Sequence, residues 1–189
     1  RRNNDNDPNN NVDIVNMSFN TISRDNAWYL GALSFYEAWF NANPHTLFVV
    51  SAGNNGESID SRGIPSSLSL ICDNVITVGW SMQNLASDYP DLINCYNFLE
   101  WFDPLDKRAC KSNYGASVNI AAPGSYVWTT SVLGPDKMIN TEDDGYGPFS
   151  GTSASAPLVS GVAGLMKALD SNLTPADLKR LLIASGDPI

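Results

Sequence analysis

The sequence is short of basic residues, histidine and cysteine. It contains 11 Lys and Arg against 20 Asp and Glu, a single His and three Cys, and its net charge is −9. Contacts to nucleic-acid phosphates need clustered Lys and Arg, so this balance argues against a nucleic-acid partner. Cys72, Cys95 and Cys110 are too few for a disulfide scaffold and lack the spacing of a metal site. Cys95 and Cys110 bracket one long insertion and could close it with a disulfide, which would leave one thiol.

Long apolar runs and a secretion signal are also absent. No run approaches the roughly 18 apolar residues of a membrane helix, which predicts that the chain has no membrane span. The first residues do not resemble a signal peptide, so we expect a mature chain or an excised piece of a longer protein. The 189 residues are 43% hydrophobic, which fits one globular domain that buries about 70% of its unfolded surface.

Stretches rich in β-branched and aromatic residues alternate with helical patterns along the chain. Four strands are predicted, at residues 12–19, 46–52, 75–79 and 118–122. An amphipathic helix over residues 25–42 separates the first two strands, and this order implies a right-handed parallel crossover. We therefore predict a three-layer α/β fold with a mainly parallel sheet.

Other segments complete the predicted layout. Residues 126–144 have the pattern of an extended hairpin with a turn near Gly134-Pro135-Asp136, and Thr174 caps a short final helix. Residues 1–11 are an Asn- and Asp-rich flexible start, and residues 82–111 form a long insertion with no clear period. The carboxylates of this insertion lack the fixed spacing of a calcium loop, so calcium binding stays open, with no assigned ligand and no metal residue.

A loop from Pro148 to Pro157 leads into an apolar helix and carries the first candidate for catalysis. Ser153 falls in the first turn of that helix, at a start that Ser and Thr commonly cap. Backbone N–H groups at a helix start lack partners and carry the positive end of the helix dipole, so they stabilise an oxyanion that forms beside them. Ser153 is therefore a candidate nucleophile. The alternative is a capped core helix whose small residues allow close packing.

The second candidate follows the predicted strand over residues 46–52. This strand ends in Gly53-Asn54-Asn55-Gly56. In open α/β sheets, ligands and reactive groups collect at the carboxyl ends of strands, which makes Asn54 a candidate site residue. The alternative is a simple turn, because Gly-Asn and Asn-Gly pairs are common in loops.

These two motifs and the segments around them resemble the subtilisin-like serine proteases. Gly151-Thr152-Ser153-Ala154-Ser155-Ala156-Pro157 is similar to the serine signature of that family, and Val49-Val50-Ser51-Ala52-Gly53-Asn54 to its oxyanion-asparagine strand. Further segments match in the family's order, namely Val15-Asn16-Met17-Ser18, Val75-Ile76-Thr77-Val78-Gly79, Ser112-Asn113-Tyr114-Gly115 and Ala121-Ala122-Pro123-Gly124. The resemblance extends from Val12 to Ala184, with the insertion outside the pattern.

The resemblance implies a serine endopeptidase that works through an acyl-enzyme. Ser153 would attack a peptide carbonyl, and its backbone N–H and the Asn54 side chain would bind the oxyanion. A peptide or protein substrate would bind as an added strand. The implied substrate-binding residues are Ser18, Phe19, Asn20, Ser51, Ala52, Gly53 and Thr152. The resemblance also implies a secreted or other extracytoplasmic location. It implies no redox or organic cofactor.

Asn20 departs from the family pattern, because a glycine usually stands at this position. A Cβ there would narrow the pocket for the substrate side chain before the scissile bond, or shift the local backbone. The resemblance therefore leaves the substrate preference open.

A larger departure concerns the catalytic base. The family uses an aspartate and a histidine that precede the asparagine strand. His45, the single histidine, begins that strand, and a rise of about 3.3 Å per residue places it roughly 20 Å from the carboxyl end. Asp13 likewise stands at a strand start. A serine hydroxyl without a base is a poor nucleophile, so we expect the C-terminal part of a protease domain, inactive alone and without the first strands of the fold.

The predicted first strand indicates that the chain binds another polypeptide. Without neighbours on one side, residues 12–19 would be a bare apolar edge that invites pairing. We therefore expect the chain to associate with its missing N-terminal part or with a second copy of itself.

Three other functional classes remain open. One is a catalytically silent subtilisin-like module that binds peptides or serves assembly. Another is an α/β-hydrolase with a Gly-x-Ser-x-Gly nucleophile elbow, although Ser155 occupies the second glycine position. The last is a purely structural domain.

Overall fold

The computed structural model describes residues 12–83, 107–131 and 145–187. Within these ranges the chain forms eight strands, one 3₁₀-helix and three α-helices. In chain order they are β1 Ile14–Met17, β2 Thr21–Ile22, α1 Asn26–Asn41, β3 Leu47–Ser51, β4 Gly63–Ile64, the 3₁₀-helix Ser66–Leu70, β5 Val75–Ser81, β6 Ile120–Pro123, β7 Val127–Ser131, β8 Gly145–Phe149, α2 Thr152–Leu169 and α3 Pro175–Ser185.

Four strands form one parallel sheet in the order β1-β3-β5-β6. Val49 at the centre of β3 lies opposite Asn16 on β1 and Ile76 on β5. All residues of β3 are buried, because the strand has a neighbour on each side and a layer of helices on each face. The four strands predicted from the sequence are confirmed, with boundaries within two residues of those expected.

Helices cover both faces of the sheet. Leu47 and Val49 of β3 pack against α2 and α3 on one face. Phe48 and Val50 pack on the other face, where Phe40 of α1 and the 3₁₀-helix lie. Alternate residues of one strand thus belong to opposite cores, which explains the unbroken apolar run of this strand. The three-layer α/β prediction is confirmed.

Side chains cap the N-termini of α1 and α3 but not that of α2. Asp25 caps α1 by accepting two backbone N–H groups, and Thr174 and Asp177 form a reciprocal capping box at α3. At α2 the capping position is Gly151, with φ 131°, and no side chain caps the helix there. The expected Ser or Thr cap is therefore wrong for this helix, and Ser153 lies inside its first turn.

Strands β7 and β8 pair in an antiparallel arrangement. The hairpin predicted within residues 126–144 has its first strand in the expected place, but its second strand begins only at Gly145, beyond the predicted range. The predicted turn near residues 134–136, the start of the chain at 1–11 and most of the insertion, 84–106, lie outside the described residues. Among the helices that the structure describes, none has the length and apolar character needed to cross a membrane. The treatment of residues 1–189 as one partial domain remains a prediction.

The three cysteines differ in state. Cys110 is disulfide-bonded, and Cys95, its expected partner, lies outside the described residues. Cys72 is a free, buried thiol. Burial raises the pKa of this thiol, which keeps it protonated and unreactive.

Candidate active site

The carboxyl ends of β1 and β3 and the start of α2 lie at one edge of the sheet. Ser18 follows β1, Gly53 and Asn54 follow β3, and Ser153 is the second residue of α2. Parallel strands place their carboxyl ends on the same side, where residues from distant parts of the chain meet. The predicted site residues from the three segments are therefore neighbours in the fold.

Thr152 connects the end of β3 to the start of α2. Its backbone N–H and its hydroxyl each donate to Asn54 Oδ1 at 2.9 Å. The same hydroxyl accepts the N–H of Gly53 at 3.0 Å. Thr152 is fully buried whereas Asn54 is exposed, so these hydrogen bonds run from the core to the surface. The Asn54 amide is thereby held beside the residue that precedes Ser153, with its Nδ2 group left to serve a ligand.

Two glycines permit this close approach. Gly151 has φ 131°, and a Cβ on it would lie 3.2 Å from the Asn54 amide nitrogen. Gly53 has φ 94°, and a Cβ on it would lie 2.5 Å from Asn113 Nδ2. Both φ values favour glycine, so neither position accepts a side chain without moving the site.

Ser153 is half-buried and hydrogen-bonded to Ser18. Its hydroxyl donates to the Ser18 carbonyl at 3.0 Å, and the Ser18 hydroxyl donates to the Ser153 carbonyl at 3.0 Å. A peptide carbonyl accepts a hydrogen bond but is too weak a base to take the serine proton. This contact therefore orients the Ser153 hydroxyl without activating it.

His45 and Asp13 lie at the opposite end of the sheet. His45 is exposed and precedes β3, whereas Asp13 precedes β1 and places a carboxylate oxygen 3.5 Å from Lys167 Nζ. Lys167 belongs to the last turn of α2. At ~1.5 Å per residue, it lies about 21 Å from Ser153 along the helix axis. Neither His45 nor Asp13 reaches the Ser153 hydroxyl in this arrangement.

Asn20 links the segment after β1 to the segment after β3. Its Nδ2 donates to the Ala52 carbonyl at 2.9 Å. Its Oδ1 accepts the backbone N–H of Ser66 at 3.3 Å and the Ser66 hydroxyl at 2.7 Å. The Asn20 side chain is therefore fixed between the two segments that the resemblance implies would flank a substrate.

The other predicted substrate-binding residues differ in exposure. Ser51 and Ala52 are buried, whereas Phe19 is 50% exposed. Ser18 and Gly53 are partly exposed. Ser51 and Ala52 can thus offer little more than backbone groups to a ligand, and Phe19 can offer its ring.

Asn113 shapes the turn that carries Asn54, a role that sequence reasoning missed. Its side chain is fully buried, and Nδ2 donates to the Ala52 carbonyl at 2.8 Å. Its Oδ1 accepts the N–H groups of Asn55 at 2.9 Å and Glu57 at 3.1 Å. The only sequence signal was the position of Asn113 in a segment that resembles the family.

Asp60 fixes the loop that follows Asn113. Its carboxylate accepts the N–H of Ala116 at 2.9 Å and the N–H and hydroxyl of Ser117 at 2.8 and 2.7 Å. Partial desolvation acts to raise the pKa of Asp60, but the hydrogen bonds from Ser117 and Ala116 outweigh it and lower the pKa. Across residues 12–83, 107–131 and 145–187, no three His, Cys, Asp or Glu side chains are grouped to hold a metal ion, so calcium has no assigned ligands.

Known proteins have sequences similar to that of this chain, and the match to a family model extends over nearly its whole length. The model of the subtilase family matches residues 2–187. An extracellular basic protease of Dichelobacter nodosus is 34% identical over 149 residues, which cover 76% of this chain and 24% of that protein. Halolysin of Haloferax mediterranei is 47% identical over 83 residues, which cover 42% of this chain and 14% of that protein.

Solved structures agree with the fold. A cold-adapted subtilisin-like serine proteinase superposes with a TM-score of 0.58 at 25% identity, over 90% of this chain and 47% of the other. A protease from Pseudoalteromonas arctica superposes with a TM-score of 0.64 at 24% identity, over 95% of this chain and 45% of the other. The chain thus spans less than half of these structures and a quarter or less of the two curated relatives. Because the model of the subtilase family matches residues 2–187, the chain belongs to that family.

Proposed function

We propose that the chain is the part of a serine endopeptidase that carries the nucleophile, Ser153, and the oxyanion donor, Asn54. The observation that carries this proposal is the pair of hydrogen bonds by which Thr152 holds the Asn54 amide next to Ser153. Relatives that are named as proteases support it. Some of them are named as extracellular, and we extend a secreted location to this chain.

The proposed reaction is acyl transfer to a serine. Ser153 Oγ bonds to the substrate carbonyl carbon, and the carbonyl oxygen becomes an oxyanion. Nδ2 of Asn54 and the N–H of Ser153 donate to that oxygen, since N–H groups in the first turn of a helix have no helical acceptor. Loss of the amine leaves an acyl-enzyme that water hydrolyses. A base must take the Ser153 proton and pass it to the leaving amine.

The base has to come from outside the described residues. The Ser153 hydroxyl donates to a carbonyl, and His45 lies at the far end of β3. We propose that a separate segment supplies the aspartate and histidine of the family, and that this chain alone does not hydrolyse peptides. The chain together with that segment is referred to below as the intact protease.

An apolar face of α2 offers a binding surface for that segment. The α2 stripe consists of Leu158, Val162, Leu165 and Leu169, which are 41%, 48%, 69% and 89% exposed. Spacings of four, three and four residues place them on one side of the helix. Solvent-exposed apolar stripes of this kind usually mark interaction sites.

The sheet also has an open strand edge. In the described part of the sheet, β1 pairs with β3 alone, so its other edge has no strand beside it. α2 contacts β1 through Ser160, whose hydroxyl donates to Asn16 Oδ1 at 3.2 Å, on the side of the helix away from the α2 stripe. We propose that the segment with the aspartate and histidine pairs with β1 and extends around α2 to cover the α2 stripe. A second copy of the chain is the competing occupant.

Replacing Ser153 with Ala in the intact protease tests the activity. Hydrolysis of an unfolded protein substrate should fall by at least about 10⁴-fold, because the nucleophile in this family contributes about 10⁶-fold to kcat. Ser185→Ala on α3 is the control and should leave hydrolysis unchanged. Equal hydrolysis by the wild type and Ser153→Ala would instead favour the catalytically silent peptide-binding module. The match to the subtilase family argues against the alternative of an α/β-hydrolase with a nucleophile elbow.

A further inference from the structure

The Asn20 side chain occupies the space between the two segments that flank the proposed substrate. It begins on the segment after β1, and Nδ2 reaches the Ala52 carbonyl on the segment after β3 at 2.9 Å. Nδ2 also lies 3.1 Å from the point where a Cβ on Gly53 would stand. The amide therefore bridges the gap instead of pointing into solvent.

Several contacts hold Asn20 in this position. Both the N–H and the hydroxyl of Ser66 donate to its Oδ1. Ser66 is fully buried, so an outward rotation of Asn20 would leave buried donors without this acceptor, which is unfavourable. Directly after Asn20, Thr21 pairs with Ile64, which fixes the local backbone.

We propose that Asn20 determines substrate specificity by closing the pocket for the residue before the scissile bond, and that this residue must be small, as Gly or Ala is. This inference rests on the proposed function. A larger side chain has to displace the amide and break its bonds to Ala52 and Ser66. The Oδ1 atom already accepts two hydrogen bonds, so the amide selects by excluding volume and does not read a polar substrate group.

Asn20→Gly in the intact protease is the direct test. The substrates are peptides that differ only in the residue before the scissile bond, which is Gly, Ala, Leu or Phe. Wild type should cleave the Ala peptide with a kcat/KM at least about tenfold above the Phe peptide, the scale that pocket size gives. Asn20→Gly should raise kcat/KM for Phe at least about tenfold and change that for Ala less than about threefold. Asn172→Gly, in an exposed turn, should leave the ratio unchanged.

A second variant and a second measurement distinguish failure of the Asn20 assignment from failure of the proposed function. Asn20→Ala keeps a Cβ but removes the amide, so it should raise the Phe-to-Ala ratio above that of wild type, and it serves as the test if Asn20→Gly does not fold. If no form hydrolyses peptides, the proposed function fails, and the same Phe-to-Ala ratio is then measured from binding of product peptides that end at the variable residue. Equal use of Phe and Ala by the wild type, or a ratio that Asn20→Gly and Asn20→Ala leave unchanged, overturns the assignment of Asn20. Absence of all peptide binding overturns both proposals.

Discussion

Asn54 and Thr152 are joined by two hydrogen bonds of 2.9 Å, both to Asn54 Oδ1. The proposed oxyanion donor is therefore attached to the residue before the proposed nucleophile. Preorganised donors are effective because they need no reorientation when charge develops. This relationship gives Thr152 a positioning role, because it holds the proposed donor without itself contacting the substrate.

Thr152→Val tests this positioning. The change keeps the shape of the side chain but removes the hydroxyl, so Asn54 loses one bond and the Gly53 N–H loses its acceptor. We expect kcat of the intact protease to fall by at least about tenfold with little change in KM, and the free energy of unfolding to fall by about 1–3 kcal/mol. Thr152→Ser should restore kcat, and Thr129→Val on the exposed face of β7 should be silent. Wild-type kcat in Thr152→Val would contradict the positioning role.

Asn54→Asp tests the hydrogen-bond donor Nδ2 separately from the contacts that Asn54 Oδ1 makes with Thr152. The aspartate keeps an oxygen for Thr152 but replaces Nδ2 with a second, negatively charged oxygen that opposes an oxyanion. We expect kcat to fall at least about 10²–10³-fold, the loss measured when a member of this family loses its oxyanion asparagine. The midpoint of thermal unfolding should stay near that of wild type. Asn55→Asp is the matched control, and a similar loss of kcat there would point to general disturbance of the turn.

Asn113→Ala should weaken the site through the fold. Its buried amide serves the Ala52 carbonyl and the N–H groups of Asn55 and Glu57, and the truncation leaves these groups without that partner. We expect the free energy of unfolding to fall by at least about 2 kcal/mol in denaturant titrations. Asn172→Ala, in an exposed turn, should cost less than about 0.5 kcal/mol. A stable Asn113→Ala variant would show that the turn around Asn54 is held by other contacts.

The sequence predicted the sheet and its helices because their signals are local. The continuous apolar run of β3 and the cap at Thr174 depend on neighbouring residues. The placement of Asn54 beside Ser153 followed from parallel strand ends and from the family resemblance. The bridges made by Asn20 and Asn113 were not predictable, because each joins residues 32 to 61 positions apart. A polar side chain in a loop carries no sequence mark of the partner that it finds in the fold.

The lowered pKa of Asp60 predicts a pH-dependent contribution to stability. Because the folded-state pKa lies below the ordinary value of 3.8, the carboxylate stabilises the fold above that pH, and the effect is lost as pH falls through the folded-state pKa. Wild type should therefore be more stable than Asp60→Asn at pH 7, and the difference should shrink below about pH 3.8. Denaturant unfolding at pH 7 and pH 3 measures this difference in the free energy of unfolding, with Asp187→Asn, at an exposed position, as the control. A difference that is constant between the two pH values would refute the linkage.

The α2 stripe predicts how the chain associates. Burying a leucine side chain stabilises a complex by about 1.5–3 kcal/mol, and a glutamate in its place would be buried without a partner. Leu165→Glu should therefore raise the Kd for the aspartate- and histidine-bearing segment at least about tenfold. Leu70→Glu, which changes an exposed residue of the 3₁₀-helix, is the control.

Sedimentation velocity at micromolar concentration gives the readout. The wild-type chain should self-associate when alone and form a one-to-one complex once the segment is added, because the same apolar face is covered in both. Leu165→Glu should weaken both assemblies, whereas Leu70→Glu should weaken neither. A wild-type chain that is monomeric alone and does not bind the segment, or a complex indifferent to Leu165→Glu, would show that the α2 stripe is not the docking face and that the base reaches Ser153 by another route.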